Sequence, residues 1–67
     1  MLVTDILSVI RNTDVDICQY QDGIIKVIAS VPKVIHIKDY IEVSELYGDM
    51  IVQFMYVSND CITIIIK

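Results

Sequence analysis

The stretch Met50–Lys67 limits what this chain can fold into more than any other. It reads as two runs of β-branched and aromatic residues, Met50–Val57 and Cys61–Lys67, around the polar knot Ser58-Asn59-Asp60. That is the sequence form of an antiparallel hairpin. Asn59 and Asp60 tolerate the positive φ that a tight loop demands. Two registers are open. A three-residue loop, Ser58–Asp60, puts Val52, Phe54 and Tyr56 on one face with Ile62, Ile64 and Ile66, and leaves Ile51, Gln53, Met55, Val57, Cys61, Thr63 and Ile65 on the other. A two-residue loop, Asn59-Asp60, slides the pairing by one residue and joins Val52, Phe54 and Tyr56 to Thr63 and Ile65. The first register is favoured because it makes one face uniformly apolar. In both, the second face is largely apolar too. A sheet with one wet side alternates between apolar and polar, so both faces of this hairpin are expected to be covered.

The rest of the chain supplies candidate covers. Leu2–Asn12 reads as a helix, with Val3, Ile6, Leu7 and Ile10 at i, i+3, i+4 and i+7. Thr4, Asp5, Ser8 and Arg11 fill its other face; Asp5 in the first turn and Arg11 in the last match the helix dipole, and Asn12 suits its end. A helix this short is unstable alone and must lie on a sheet. Thr13–Tyr20 and Ile24–Val31 read as strands joined by Gln21-Asp22-Gly23, in which Asp-Gly is a strong hairpin signal. Pro32 ends the second strand or bends it at an edge. Lys33–Asp39 alternates and is read as a further extended segment. Tyr40–Tyr47 alternates as well, but its charges and the following Gly48 suit a helical turn with a glycine cap, which is the reading adopted. The fold class is therefore α+β: one domain over residues 1–67, with an N-terminal helix packed on an antiparallel sheet of about four strands in two hairpins.

That fold has too little to cover itself with. The chain has 67 residues, 55% of them hydrophobic, above the usual 45–50% or so. One short helix shields one side of a sheet, which leaves Ile51, Met55, Val57 and Ile65 as the predicted oligomer interface. Symmetric self-association to a dimer or tetramer is the economical answer. Sheet stacking and edge pairing would both serve.

Charge narrows the partners. The formal net charge is −4, and Arg11, Lys26, Lys33, Lys38 and Lys67 are scattered. Nucleic-acid binding relies on clustered basic residues, so direct binding of that kind is disfavoured and a protein surface is the better partner. No apolar run approaches the ~18 residues of a membrane span, and no charged-then-apolar leader opens the sequence; a cytoplasmic protein without membrane contact is expected. Cys18 and Cys61 are too few and too widely spaced for a disulfide framework or zinc ribbon; they read as small buried hydrophobes.

Catalytic signals are sparse. Asp14 and Asp16 lie two apart on one strand face and are the candidate metal ligands, since paired carboxylates with water can hold Mg²⁺ and support phosphodiester cleavage. A solvated strand entrance is the favoured reading. His36 is the sole histidine and has no nucleophile assigned to it by spacing; a half-exposed strand position is expected. Gly23 and Gly48 are the only glycines, too few for a phosphate loop. Tyr20, Tyr40, Tyr47 and Tyr56 lack basic neighbours and suit core or interface anchors better than base stacking. No catalytic residue and no cofactor is assigned, and binding is favoured over catalysis.

The layout resembles a class of very small phage-encoded proteins. The opening Val3-Thr4-Asp5-Ile6-Leu7-Ser8-Val9-Ile10 matches their helix pattern Val-x-Asp-Leu-Leu-x-x-Ile, Asp14-Val15-Asp16-Ile17 matches a following Asp-x-Asp-Val strand, and Ile51–Ile66 matches a closing hairpin. One similar group comprises small anti-CRISPR proteins with an oligomeric PC4-like fold of helix and sheet. The resemblance implies a counter-defence role: inhibition or modification of a host defence protein by a homo-oligomer in the host cytoplasm. A metal-dependent nickase and a structural assembly module are the alternatives. The acidic charge departs from the basic surface of PC4-type single-strand binders, which again speaks against direct DNA binding.

Overall fold

The computed structural model describes residues 1–9 and 12–67. Its elements are α1 (Val3–Leu7), β1 (Asp14–Gln21), β2 (Ile24–Val31), α2 (Ile37–Tyr47), β3 (Val52–Ser58) and β4 (Cys61–Ile66).

Both hairpins close through two residues in the left-handed region. Asp22 and Gly23 have φ of 56° and 79°; Asn59 and Asp60 have 52° and 60°. Positive φ at both central positions defines the type I′ turn, whose twist matches that of the strands it joins. The two-residue loop fixes the second hairpin: Ser58 faces Cys61, Val57 faces Ile62, Tyr56 faces Thr63, Met55 faces Ile64 and Phe54 faces Ile65. The three-residue register favoured from apolarity is overturned, because turn geometry, rather than uniformity of one face, sets the pairing.

The strands lie in the order β2-β1-β4-β3. β1 and β4 run parallel, with Val15 opposite Ile62 and Ile17 opposite Ile64, so the sheet is mixed and not antiparallel throughout. The connection through α2 carries the chain from one edge strand to the other. Central placement covers β4 on both sides, and the consecutive residues Ile64, Ile65 and Ile66 are all buried. A near-continuous apolar run is the usual mark of a central strand with parallel pairing; here the helix-side cluster buries Ile64 and Ile66, and neighbouring side chains on the open face bury Ile65.

One face carries the core. Val15, Ile17, Val31, Ile64 and Ile66 form a single buried cluster with Val3, Ile6 and Leu7 of α1. α2 adds Tyr40, Val43 and Tyr47, partly buried against that cluster, at the i, i+3, i+7 spacing of one helix face. The Tyr40 hydroxyl donates to the Leu7 carbonyl at 3.3 Å. The expected helix over Tyr40–Tyr47 is present and starts earlier, at Ile37. Ile37, Lys38 and Asp39 are therefore helical, correcting the extended reading of Lys33–Asp39; Tyr40 packing on the core outweighs the local alternation. In the segment read as the N-terminal helix, Val3–Leu7 is helical and Ser8-Val9 form a turn. Ile10 and Arg11 lie outside the described residues, and Asn12 takes the left-handed conformation at φ 61°.

The start of the chain is stitched to the α2–β3 connection. Val3 N–H donates to the Met50 carbonyl and Thr4 N–H to the Gly48 carbonyl, both at 3.0 Å, so two first-turn donors of α1 find partners. The Asp5 carboxylate accepts Leu2 N–H at 2.9 Å. Val52 N–H donates to the Met1 carbonyl at 2.8 Å, and Leu2 bridges Ile51 in antiparallel fashion. Gly48 is buried and right-handed, with φ −58°, not the left-handed cap expected. Its need for glycine is steric: a Cβ there would run into the Ser44 carbonyl oxygen.

Candidate functional site

The face of the sheet away from the helices is the surface most able to act. Alternation along the strands assigns its residues. β1 contributes Asp14, Asp16, Cys18 and Tyr20; β2 contributes Ile25, Val27 and Ser30; β4 contributes Cys61, Thr63 and Ile65; β3 contributes Phe54 and Tyr56. The face divides into two halves. One is apolar: Tyr20, Ile25, Val27, Phe54 and Tyr56 are exposed, ringing Cys18 and Ile65, which their neighbours bury. The other is polar, built on Asp14, Asp16, Ser30, Cys61 and Thr63.

Hydrogen bonds organise the polar half. Ser30 Oγ donates to Asp16 Oδ1 at 2.8 Å, tying β1 to β2. The Cys61 thiol donates to Asp16 Oδ2 at 3.6 Å, tying β1 to β4. Lys33 N–H donates to Asp14 Oδ1 at 2.8 Å, fixing the chain just after Pro32. Burial, together with the Asp16 charge and hydrogen bond, pushes the Cys61 thiol above its ordinary value of 9.0. Burial and the Asp16 charge do the same at Cys18. Both thiols are free and are held in the protonated, weakly nucleophilic form.

The candidate metal ligands Asp14 and Asp16 thus lie on one face, each with a carboxylate oxygen engaged by protein donors. Among the described residues no group of three or more His, Cys, Asp or Glu is placed to hold a metal ion. His36 sits exposed at the N-cap of α2, and its side chain makes no capping bond; it is not a strand residue. Tyr40 and Tyr47 are anchors at the core, whereas Tyr20 and Tyr56 stand on the open face.

The four residues predicted as an interface do not share one surface. Met55 and Val57 lie on the helix side of β3, beyond the reach of the helices, and are exposed. Ile65 is buried on the opposite face, and Ile51 is exposed beside Leu2. Tyr20 and Tyr56 are read from the sequence as core or interface anchors, whereas Phe54, Ile25 and Val27 are not singled out there. The two-residue register at Asn59-Asp60 carries the signal for Phe54 as well as Tyr56, because it moves both off the core face.

No family model, curated protein or solved structure matches this chain. Among the described residues no helix is long and apolar enough to cross a membrane.

Proposed function

We propose that this protein acts by binding another protein, as a homo-oligomer, and that the open sheet face carries the contact. The supporting observation is the ring of Tyr20, Ile25, Val27, Phe54 and Tyr56 left exposed on one side of a four-stranded sheet. Contiguous apolar surface rimmed by polar groups is the ordinary mark of an interaction site, and aromatic residues dominate the energetics of such contacts. The whole surface, 4725 Å², exceeds the roughly 4,300 Å² of a folded monomer of this mass. The engagement of Asp14 and Asp16 by Lys33 N–H and Ser30 Oγ gives a strand-fastening role to the residues on which a nickase reading would depend.

For the target we propose a host defence protein. The support is the resemblance of the Val3–Ile10 and Asp14–Ile17 patterns to phage counter-defence proteins. The test is expression in cells carrying an active CRISPR defence. Phage plating is expected to recover with the wild type and to fall back with Tyr20→Lys or Val27→Lys, both exposed, in variants whose circular dichroism is unchanged. No recovery with the wild type, or full recovery with both variants, overturns the reading. Nicking of supercoiled plasmid in Mg²⁺ that EDTA abolishes would replace it with a catalytic one.

A further inference from the structure

We infer that the homo-oligomer is a two-fold dimer made by antiparallel pairing of β3 with β3 of a second copy, over Phe54–Ser58. This rests on the oligomeric reading above and specifies which surface joins the copies, leaving the open face for the other protein.

Backbone geometry supplies the first support. A two-residue turn makes Ser58 and Cys61 a hydrogen-bonded pair, so Tyr56–Thr63 and Phe54–Ile65 are hydrogen-bonded pairs as well. The N–H and C=O of Met55 and Val57 therefore point away from β4. β3 is the edge of the sheet, and among the described residues nothing lies beyond it there. Unpaired edge groups of this kind are a template for another strand.

The free length sets the register. Ile51 accepts from Lys67 on the β4 side, so Val52 N–H points outward, where the Met1 carbonyl takes it. Met1–Leu2 thus occupies the outer edge at Ile51–Val52, and Gln53 is the extra residue of a bulge. Phe54–Ser58 remains open, and its midpoint is Tyr56. A two-fold axis through Tyr56 sets Met55 opposite Val57 of the other copy, and Val57 opposite Met55, as two hydrogen-bonded pairs. Phe54 then meets Ser58, and the two Tyr56 side chains meet across a close, non-hydrogen-bonded pair.

Side chains and charge favour a second copy as the occupant. Phe54, Met55, Tyr56 and Val57 are 59%, 50%, 49% and 68% exposed, on both faces of one strand. Stacking on the open face would cover Phe54 and Tyr56 but not Met55 and Val57. Edge pairing covers both sets at once and yields a continuous sheet of twice the four strands of one copy. β3 contains no charged residue in a chain of net charge −4, so two copies meet with least repulsion along this strip.

The test combines assembly state with amide exchange. Sedimentation equilibrium at about 50 µM is expected to give a dimer. In that dimer the Met55 and Val57 amides should exchange slowly although no acceptor within the chain serves them, and their protection should fall on dilution. Val57→Pro removes an outward N–H that no strand of the same copy uses, so it should keep the sheet and weaken the dimer by about a hundredfold or more. A monomer at that concentration overturns both this inference and the oligomeric reading. A dimer in which the two amides exchange fast, or one that survives in folded Val57→Pro but is split by Val27→Lys on the open face, keeps the oligomer and overturns edge pairing. Should Val57→Pro fail to fold, amide exchange in the wild-type dimer decides alone.

Discussion

The two hairpins close alike and end in unlike outer strands. Each turns through two left-handed residues, Asp22-Gly23 and Asn59-Asp60. β2 then carries Lys26 near its middle, an extra residue at Ile28 where the register shifts, and Pro32 just past its end. Charge, bulge and proline are the usual means of blunting a sheet edge. β3 has no charge, and its bulge lies back at Gln53, leaving Phe54–Ser58 regular. The difference teaches that equivalent turns can end in one guarded edge and one open edge, and only the second offers the regular, uncharged strip that the proposed pairing needs.

The largest perturbation falls on the seam between them. Ile64 is fully buried on β4, which pairs with β1 on one side and β3 on the other. Ile64→Ala should cost about 3–4 kcal/mol, within the range for buried aliphatic truncation, and urea unfolding should show one transition for both hairpins. Ile25→Ala, on the exposed outer strand, should cost under about 1 kcal/mol. Similar costs for the two would break the picture of β4 as the common centre.

The glycines separate the hairpins next. Gly48→Ala pushes a Cβ against the Ser44 carbonyl and disturbs the Gly48 carbonyl that holds Thr4 N–H. It should cost about 2 kcal/mol through overpacking. Gly23→Ala meets open space and pays only for its φ of +79°, about 1 kcal/mol. Thermal melts should keep that order.

Exchanging the edge charges tests the contrast itself. Val57→Lys gives β3 the kind of guard that Lys26 gives β2; the sheet should survive with a change of about 0.5 kcal/mol per monomer, as at other exposed sites, while self-association disappears. Lys26→Val should strengthen association. Light scattering that does not distinguish the two variants would undo the comparison.

The smallest effect is alkaline. The Cys61 and Cys18 thiols are raised above 9.0 in the folded chain, by burial first and by Asp16 next. The fold therefore binds more protons than the unfolded chain in that range. The stability this contributes is fully present below about pH 9 and is lost as pH rises through the raised values. Urea midpoints should drop from pH 8 to pH 10.5, and drop less in Cys61→Ala.

Much of the first hairpin was legible. Asp-Gly allows one tight turn, and Ile24–Val31 follows it with the bounds read from alternation. The second hairpin was legible as a hairpin but not in register, because Ser58, Asn59 and Asp60 all suit a loop and both faces are apolar. What chose was the φ tolerance of Asn59 and Asp60, already visible in the sequence. The parallel β1–β4 pairing was missed, although the run Ile64-Ile65-Ile66 is the signature of a strand at the centre of a sheet with parallel pairing. α2 was legible from Tyr40 onward; its first turn was hidden because Val34–Lys38 alternates locally while Tyr40, Val43 and Tyr47 fix the helix from afar. For the site, Asp14 and Asp16 were placed on one face correctly. Their partners, Ser30, Cys61 and Lys33, come from other parts of the chain, and no local pattern announces them.

The bulge at Ile28 bears on how far such an assembly grows. If two copies join through β3, the ends of the shared sheet are two β2 strands. Were those ends flat and uncharged, each dimer could add another, and the product would be an open ribbon lengthening without limit. With Ile28 kinking the edge, Lys26 repelling its counterpart and Pro32 withholding a donor, addition to such a dimer would stop at two. In that dimer the guarded strand would set the size of the particle, and a chain rich in exposed apolar side chains would stay a discrete object instead of a fibre.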